Sequence, residues 1–232
     1  MGIAYNPSVV MNGLVLYLDA ANPKSYPGSG TTWTDLSGNG NNGTLVNGVG
    51  YSSGNKGSLT FDGTNDYVDI SNSSIGNFGT SNFTVSCWGK ATSGISDTRG
   101  IFSKYNPHSG NGTGWFMFFR DGNIWVRITQ DLAAPLEAST INVNVSVNTW
   151  HFFTIVRNST SFSLYANDIK LQENTTTNII DCSSSAPLRI GSGYVSGYYY
   201  SGSCSNAQIY NRALSITEIQ QNFNATRGRY GI

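Results

Sequence analysis

The sequence predicts an all-β fold, with two sheets packed as one sandwich, from three observations. The length of 232 residues suits a single large sandwich and needs no second domain. Short apolar alternations, separated by turn-forming residues, continue from Leu14 to Ile209. The composition is typical of turns and strands, with 27 Gly, 13 Tyr, 26 Asn, 30 Ser and 21 Thr. Hydrophobic residues still form 38% of the chain, which is enough for a core.

Twelve candidate strands follow from these alternations, a number that fits one two-sheet domain. They are Leu14 to Asp19, Ser58 to Phe61, Tyr67 to Ile70, Phe83 to Lys90, Ile101 to Lys104, Trp115 to Arg120, Asn123 to Thr129, Trp150 to Arg157, Phe162 to Ala166, Ile169 to Glu173, Leu188 to Gly191 and Tyr199 to Tyr210.

Two hairpins can be registered from the sequence, because Asp121-Gly122 and Asn167-Asp168 are favourable two-residue turns. In the first hairpin the expected pairs are Arg120 with Asn123, Phe119 with Ile124, Phe118 with Trp125, Met117 with Val126, Phe116 with Arg127 and Trp115 with Ile128. In the second hairpin, Leu164 is expected opposite Leu171 on the inner side, and Tyr165 opposite Lys170 on the outer side.

Side-chain alternation gives the first hairpin a core face and an unusually apolar outer face. The core face carries Trp115, Met117, Phe119, Ile124, Val126 and Ile128, and the outer face carries Phe116, Phe118, Trp125 and Arg127. Aromatic residues beside an arginine are typical of the centre of an interface. The outer face is therefore a candidate contact with another subunit or a scaffold. Coverage by the chain's own loop from Leu132 to Val147 is the alternative.

The C-terminal region contains a helix signal. Ser215-Ile-Thr-Glu218 is a capping box, which predicts a helix over 215–224 with Ile216, Ile219 and Phe223 on one apolar stripe. Residues 1–12 and 225–232 show no pattern and are expected to be arms, along their own sheet or toward a neighbour. The predicted organisation is one domain over 1–232, with the sandwich at 13–214.

Charge and cysteine usage exclude several classes of protein. Charged residues form 11% of the chain, and 13 basic side chains balance 13 acidic ones. A nucleic-acid binder needs a basic excess, and membrane insertion needs a long apolar run, so neither partner is expected. The three cysteines, Cys87, Cys182 and Cys204, have no CxxC spacing and are expected to be reduced and structural. A single Cys182–Cys204 bridge is the alternative.

Six sequence blocks in a fixed order carry a family resemblance. They are GLVLYLDA at 13–20, WTDLSGNGNNGT at 33–44, FDGTNDYV at 61–68, Trp150-His151, LYAN at 164–167, and IYNRALS at 209–215 followed by Glu218-Ile219. Together they resemble the laminin G-like, concanavalin A-like lectin domains. The resemblance implies a jelly-roll sandwich of two curved antiparallel sheets, often with glycan or protein binding at the rim and sometimes with one Ca²⁺.

Two end segments resemble a narrower group. Ala20 to Tyr26 and Asn222 to Tyr230 look like versions found on virion proteins of tailed bacteriophages, as capsid decorations, head fibres or tail parts. This resemblance implies a capsid or tail protein as partner and a homo-oligomer. The N-terminus shows no secretory signal, which fits assembly in the host cytoplasm and display on the virion surface.

The sequence offers two kinds of candidate binding site. Tyr194, Tyr198, Tyr199 and Tyr200 suggest a stacking platform for sugar rings, or else a loop entering a strand whose alternate tyrosine is core. Asp35 and Asn39, with Asn41, Asn42, Asp62 and Asp66, offer oxygen ligands for Ca²⁺, although a turn that bonds its own backbone is favoured. Many relatives carry acidic residues where this chain has Ser205 and Asn206, and no cofactor is expected to be required.

Catalytic residues are scarce. The only glutamates are Glu137, Glu173 and Glu218, and no two acidic residues share one strand face in the expected registers. His108 and His151 have no spacing that suggests a Ser/His/Asp arrangement. The sequence therefore predicts a non-enzymatic virion surface protein that displays a lectin-like domain for glycans or a host surface. A stand-alone carbohydrate-binding lectin module is the alternative, and a glycoside hydrolase is the weaker one.

Overall fold

A computed structural model describes residues 8–72, 74–92, 98–106, 112–130, 138–193 and 197–232. Within them lie sixteen strands, one α-helix and two short 3-10 turns, at Gly54–Lys56 and Arg227–Arg229. The strands and helix are β1 (Leu14–Asp19), β2 (Thr32–Trp33), β3 (Gly43–Val46), β4 (Gly50–Ser52), β5 (Ser58–Asp62), β6 (Tyr67–Ile70), β7 (Phe83–Ala91), β8 (Arg99–Asn106), β9 (Thr113–Arg120), β10 (Asn123–Thr129), β11 (Ala138–Asn144), β12 (His151–Asn158), β13 (Ser161–Ala166), β14 (Ile169–Thr175), β15 (Leu188–Ile190), β16 (Ser201–Tyr210) and α1 (Ile216–Thr226).

The strands form two eight-stranded sheets whose strand pairs are antiparallel. Sheet A has the order β14-β13-β12-β7-β16-β5-β4, and β1 pairs with the C-terminal half of β16. Sheet B has the order β11-β10-β9-β8-β15-β6-β3-β2. The predicted all-β jelly-roll sandwich with one short C-terminal helix is confirmed.

One large core fills the space between the sheets. Its bulkiest fully buried members include Trp33, Phe102, Trp115, Phe153 and Tyr200. The three cysteines are also buried there, and all three are free, so Cys182 and Cys204 do not form a disulfide. Burial raises the pKa of Cys182 to about 11, which keeps it a protonated and unreactive thiol at neutral pH.

The two predicted hairpins had different outcomes. All the expected pairs of the β9–β10 hairpin are confirmed, from Arg120 opposite Asn123 to Trp115 opposite Ile128. In the β13–β14 hairpin, Tyr165 pairs with Lys170 as expected, but Leu164 lies opposite Gln172 and not opposite Leu171. The reason is an irregularity between Leu164 and Tyr165, which shifts the register by one residue.

The structure also contains strands that the sequence analysis missed. The short strands β2, β3 and β4 lie at the edges of the two sheets. Strand β11 occupies part of the expected loop from Leu132 to Val147 and pairs with β10 along its whole length. Its alternation of Ile141, Asn142 and Val143 was a strand signal that the loop interpretation overlooked.

The C-terminal segment is packed against its own sheet A, which is one of the two arrangements expected for the arm at 225–232. The capping box of Ser215 and Glu218 is confirmed, but the helix continues to Thr226 and then tightens into a 3-10 turn. Ile219 and Phe223 are buried as predicted, whereas Ile216 is 45% exposed. The buried face is centred near Ile219, and Ile216 lies about 70° from that centre around the helix.

The start of the described chain lies against the same helix. The Val10 amide donates to Asn222 Oδ1 (2.8 Å), and its carbonyl accepts from Tyr210 Oη (3.0 Å). Gln221 Nε2 donates to the Ser8 carbonyl (2.8 Å). The described part of the N-terminal arm therefore packs against its own domain. None of the helices in the described residues has the length and apolar character needed to cross a membrane.

Candidate functional site

The tyrosines of the predicted platform differ in how deeply they are buried. Tyr200 is fully buried between the sheets, with its ring centroid 6.0 Å from that of Phe119. The prediction that Tyr200 contacts a ligand is therefore wrong, because its side chain points into the core just before β16 begins. Tyr198 and Tyr199 are half-buried, and Tyr194 lies outside the described residues.

The predicted apolar face of the β9–β10 hairpin forms a continuous stack of aromatic rings. The centroid of Phe116 lies 5.6 Å from that of Tyr105 and 4.5 Å from that of Phe118. Phe118 in turn lies 5.9 Å from Trp125, and the planes of these two rings differ by 16°. This run of four rings crosses β8, β9 and β10 and is called the aromatic stack below.

The chain itself covers part of the aromatic stack. Phe116 and Phe118 are only 3% and 8% exposed, whereas Trp125 and Arg127 are half-buried. Gly193 approaches the Phe116 ring so closely that an added Cβ would lie 2.9 Å from it, and Tyr198 packs on the same cluster. At Phe116, coverage comes from the segment after β15; residues 132–137 of the alternative covering loop lie outside the described residues.

The candidate calcium ligands Asp35 and Asn39 hold a turn together. The Asp35 carboxylate accepts hydrogen bonds from the amides of Tyr17, Ser37 and Asn41 and from the Ser37 hydroxyl, at 2.8 to 3.0 Å. Four donors occupy about all the lone-pair positions of a carboxylate, so a cation has none to use. Asn39 Nδ2 donates to Ser37 Oγ (2.9 Å). The structure therefore favours the turn over the calcium site at these two residues.

Metal-binding and catalytic clusters are also not evident elsewhere. Among the described residues, no group of three His, Cys, Asp or Glu side chains is placed to hold a metal ion. Glu218 is bound by Arg212, and Glu173 by Lys170 at 2.5 Å. His151 faces the Ser146 carbonyl at 3.2 Å, and burial lowers its pKa. Glu137 and His108 lie outside the described residues.

A cleft rich in asparagine lies where β1, the loop after β2 and the β6–β7 connection meet. Its volume is about 400 Å³, and none of its lining residues is charged. The lining residues are Val15, Asn39, Asn41, Asn72, Ser74, Ile75, Gly76, Asn77, Phe78 and Asn211. This set is called the asparagine cleft below.

Hydrogen bonds fix the walls of the asparagine cleft in place. The Asn41 amide donates to the Val15 carbonyl (2.9 Å) and accepts from Asn72 Nδ2 (2.7 Å). The carbonyl of Val15 is available for this contact because it lies on the edge of β1 that does not face β16. The Gly76 carbonyl accepts from the core indole Trp115 Nε1 (2.8 Å). The cleft is therefore formed before any ligand arrives.

Two kinds of group remain available to a ligand in the cleft. Asn211 is exposed, and no hydrogen bond of its side chain occurs within the described chain. Asn77 accepts from the Ser184 amide through Oδ1, which leaves its Nδ2 protons unused by the described residues. Phe78 is half-buried and is held by Phe83, whose ring lies 4.1 Å away and nearly parallel. The exposed part of the Phe78 ring lines the cleft.

Sequence reasoning missed the asparagine cleft because its residues come from four separate segments. The high asparagine content was visible, but composition does not say which side chains converge. Among the described residues, Tyr198, Tyr199, Tyr200 and the aromatic stack do not line this cleft.

Solved structures with the same fold include binding domains of toxins. The binding domain of Paraclostridial Mosquitocidal Protein 1 has a TM-score of 0.73 and 21% identity, and covers 92% of this chain and 52% of that chain. The binding domain of botulinum neurotoxin DC, in complex with rat synaptotagmin II, has a TM-score of 0.70 and 15% identity, with 94% and 52% covered. The receptor binding domain of botulinum neurotoxin D has a TM-score of 0.70 and 16% identity, with 92% and 52% covered.

The chain therefore spans about half the length of these domains, and at such identities the likeness concerns the fold. No curated protein matches the sequence significantly. The family model for the concanavalin A-like lectin/glucanases superfamily matches residues 62–220, which is more than half of the chain. With the two-sheet sandwich and the six sequence blocks in agreement, the chain belongs to the concanavalin A-like lectin/glucanases superfamily.

Proposed function

We propose that the chain is a non-enzymatic, lectin-type binding domain that holds a neutral saccharide in the asparagine cleft. The observation that carries the proposal is a rigid, uncharged cleft in which free amide groups lie beside an aromatic ring. Sugar hydroxyls donate to and accept from amides, while the apolar face of a sugar ring stacks on an aromatic side chain. The cleft offers both kinds of contact at once.

The chemistry of the cleft favours binding over hydrolysis. Cleavage of a glycosidic bond uses two carboxyl groups about 5 to 9 Å apart, and the described residues that line the asparagine cleft include no Asp or Glu. The superfamily contains both lectins and glucanases, so membership alone does not decide between them. The similar structures are described as binding domains, which supports the binding role.

We place this binding domain on a virion surface, attached to a capsid or tail protein. The support is the resemblance of Ala20 to Tyr26 and Asn222 to Tyr230 to segments of phage virion proteins. A stand-alone lectin module would use the same cleft without the attachment. Mass spectrometry of purified virions from the source distinguishes the two, because the absence of this chain from the particles would refute the virion role.

A comparison of two asparagine variants tests the cleft. A glycan array with the full chain should identify a neutral saccharide, whose affinity calorimetry then measures. Asn211→Ala removes an exposed amide from the cleft and should weaken binding about fivefold, the effect of one net hydrogen bond. Asn65→Ala removes another exposed amide, outside the cleft, and should leave the affinity unchanged.

Three results would contradict the proposal. One is that no neutral glycan binds. Another is that Asn65→Ala weakens binding as much as Asn211→Ala does. The third is release of reducing sugar from any polysaccharide by the pure protein, because this would show hydrolase activity.

A further inference from the structure

A second groove lies at the C-terminal end of α1, and its chemistry differs from that of the asparagine cleft. Its volume is about 500 Å³. One wall is the 3-10 turn that ends at Lys56, and the other is the segment from Asn224 to Arg229. Ala21 and Ile232 complete the lining. These residues are called the basic groove below.

The basic groove concentrates positive charge in a protein with little charge. Lys56, Arg227 and Arg229 line it, which is three of only 13 basic residues in the chain, and none of the other described lining residues is Asp or Glu. Arg229 is paired with Asp19 through two hydrogen bonds of 2.6 and 2.8 Å. Lys56 and Arg227 are exposed, and neither forms an ion pair with a described residue.

Contacts between the two walls hold the basic groove open. Asn55 Nδ2 donates to the Arg229 carbonyl (3.0 Å), and Asn55 Oδ1 accepts from Trp150 Nε1 (3.2 Å). The Gly57 carbonyl accepts from the buried hydroxyl of Ser205 (2.7 Å). Gly57 also lies against β1, since a Cβ there would be 2.4 Å from the Ala20 carbonyl. The backbones of the two walls therefore keep a fixed separation without a ligand.

Two further observations concern the orientation of the free cations. The guanidinium of Arg227 lies 5.7 Å from the centre of the Phe223 ring, which limits where it can point. Lys56 has a left-handed backbone with φ of 69°, a conformation that is uncommon for lysine and places its side chain on the groove wall. Positive side chains near the C-terminus of a helix also stabilise the helix itself, by offsetting the partial negative charge there. A test of ligand binding must therefore measure affinity and not stability alone.

We propose that the basic groove binds an oxyanion group, such as a phosphate, carried on a larger polar ligand, through Lys56 and Arg227. Ammonium and guanidinium groups donate to phosphate, sulfate and carboxylate oxygens alike, and Arg can do so with two parallel hydrogen bonds. The groove is larger than one phosphate, so neutral polar parts of the ligand would contact Asn224 and the adjacent backbone.

Titration of the ¹⁵N-labelled full chain with inorganic phosphate, followed by NMR, tests the proposal. The amides of residues 55–57 and 225–229 should show saturable shifts, and sulfate should compete. The double variant Lys56→Gln/Arg227→Gln should weaken phosphate binding at least about tenfold, because it removes both free charges. Parallel titrations with acetate and with a polyol phosphate distinguish a carboxylate from a phosphate ester as the group that binds most tightly.

The matched control removes the same net charge elsewhere. Arg120→Gln/Lys170→Gln lies on exposed strand residues outside the groove and should change the phosphate affinity less than twofold in 0.15 M salt, since distant charges are screened. An absence of saturable shifts near Lys56 and Arg227, or equal weakening by both double variants, would overturn the proposal. The groove variants should not affect saccharide binding in the asparagine cleft, so either site can fail alone.

Discussion

The outer faces of the two sheets are covered in different ways. On sheet A, the C-terminal segment covers Trp88, whose ring lies 4.0 Å from Tyr230 and 5.8 Å from Phe223. On sheet B, the aromatic stack is built by neighbouring strands and remains half-exposed at Trp125. Sheet A therefore gains a second buried layer from a distant part of the chain, and sheet B gains a local one.

The difference lies in how far apart in sequence the contacting residues are. Arg229 reaches Asp19 across 210 positions, while Phe118 and Trp125 are joined by a two-residue turn. Long-range contacts depend on the whole fold being in place, whereas hairpin contacts need only the turn and the register. We therefore expect the sheet A face to contribute more to stability and to be more sensitive to substitution.

Replacement of Arg229 should have the largest effect. Asp19 is 1% exposed, and Arg229→Gln would leave its carboxylate buried without its basic partner. Loss of one partner of a buried pair costs about 3 kcal/mol of unfolding free energy, which urea denaturation would measure. The double variant Asp19→Asn/Arg229→Gln should recover part of this loss. If Arg229→Gln alone costs less than about 1 kcal/mol, the pair does not secure the tail.

Removal of one ring from each face compares them directly. Tyr230→Ala removes a ring packed on Trp88 and 4.9 Å from Trp150, and should cost about 2 to 3 kcal/mol. Trp125→Ala removes a half-buried ring that lies 5.9 Å from Phe118, and should cost about 1 kcal/mol. Thermal and urea unfolding of the two variants provide the measurement. A larger loss for Trp125→Ala would reverse the comparison.

The smallest expected effect is the loss, at acid pH, of the stability that Glu218 contributes at the start of α1. Hydrogen bonds from Arg212, and then from Ser215, lower the pKa of Glu218 from 4.5 to about 2. Because the folded pKa is the lower one, the stabilisation is complete above about pH 4.5 and is lost as the pH falls toward 2. Both side chains are 28% exposed, so we expect about 1 kcal/mol.

Glu218→Gln provides the control for this pH dependence. Its unfolding free energy should be lower than that of the parent at pH 7 and should approach the parent value near pH 2. Equal pH profiles of parent and variant between pH 2 and 4.5 would show that this carboxylate does not contribute.

The sequence was most informative where structure is local. The Asp121-Gly122 turn has positive φ at both residues, as a two-residue hairpin turn of this kind requires, and its register was predicted in full. The capping box was equally local and correct. The predicted register of the second hairpin is wrong at Leu164, because no residue type there indicates an irregularity.

Sites assembled from distant segments were not predictable in the same way. Tyr200 was grouped with the half-buried Tyr198 and Tyr199, although alternation into β16 turns its side chain inward. The asparagine cleft needs Val15, Asn72 and Asn211 to converge, and their positions depend on strand order. The tail at Arg229 and Tyr230 showed no periodicity, because single residues and not a repeating face make its contacts.

The loop that holds Asp35 also has a consequence for self-association. Strand β1 pairs with β16 on one side only, so its other edge would offer free backbone groups to a neighbouring molecule. The loop occupies that edge: Tyr17 bonds to Asp35 and Leu36, and the Val15 carbonyl accepts from Asn41. A second copy therefore cannot extend the sheet by strand addition at these positions. Copies crowded at high local concentration are protected there from edge-to-edge aggregation.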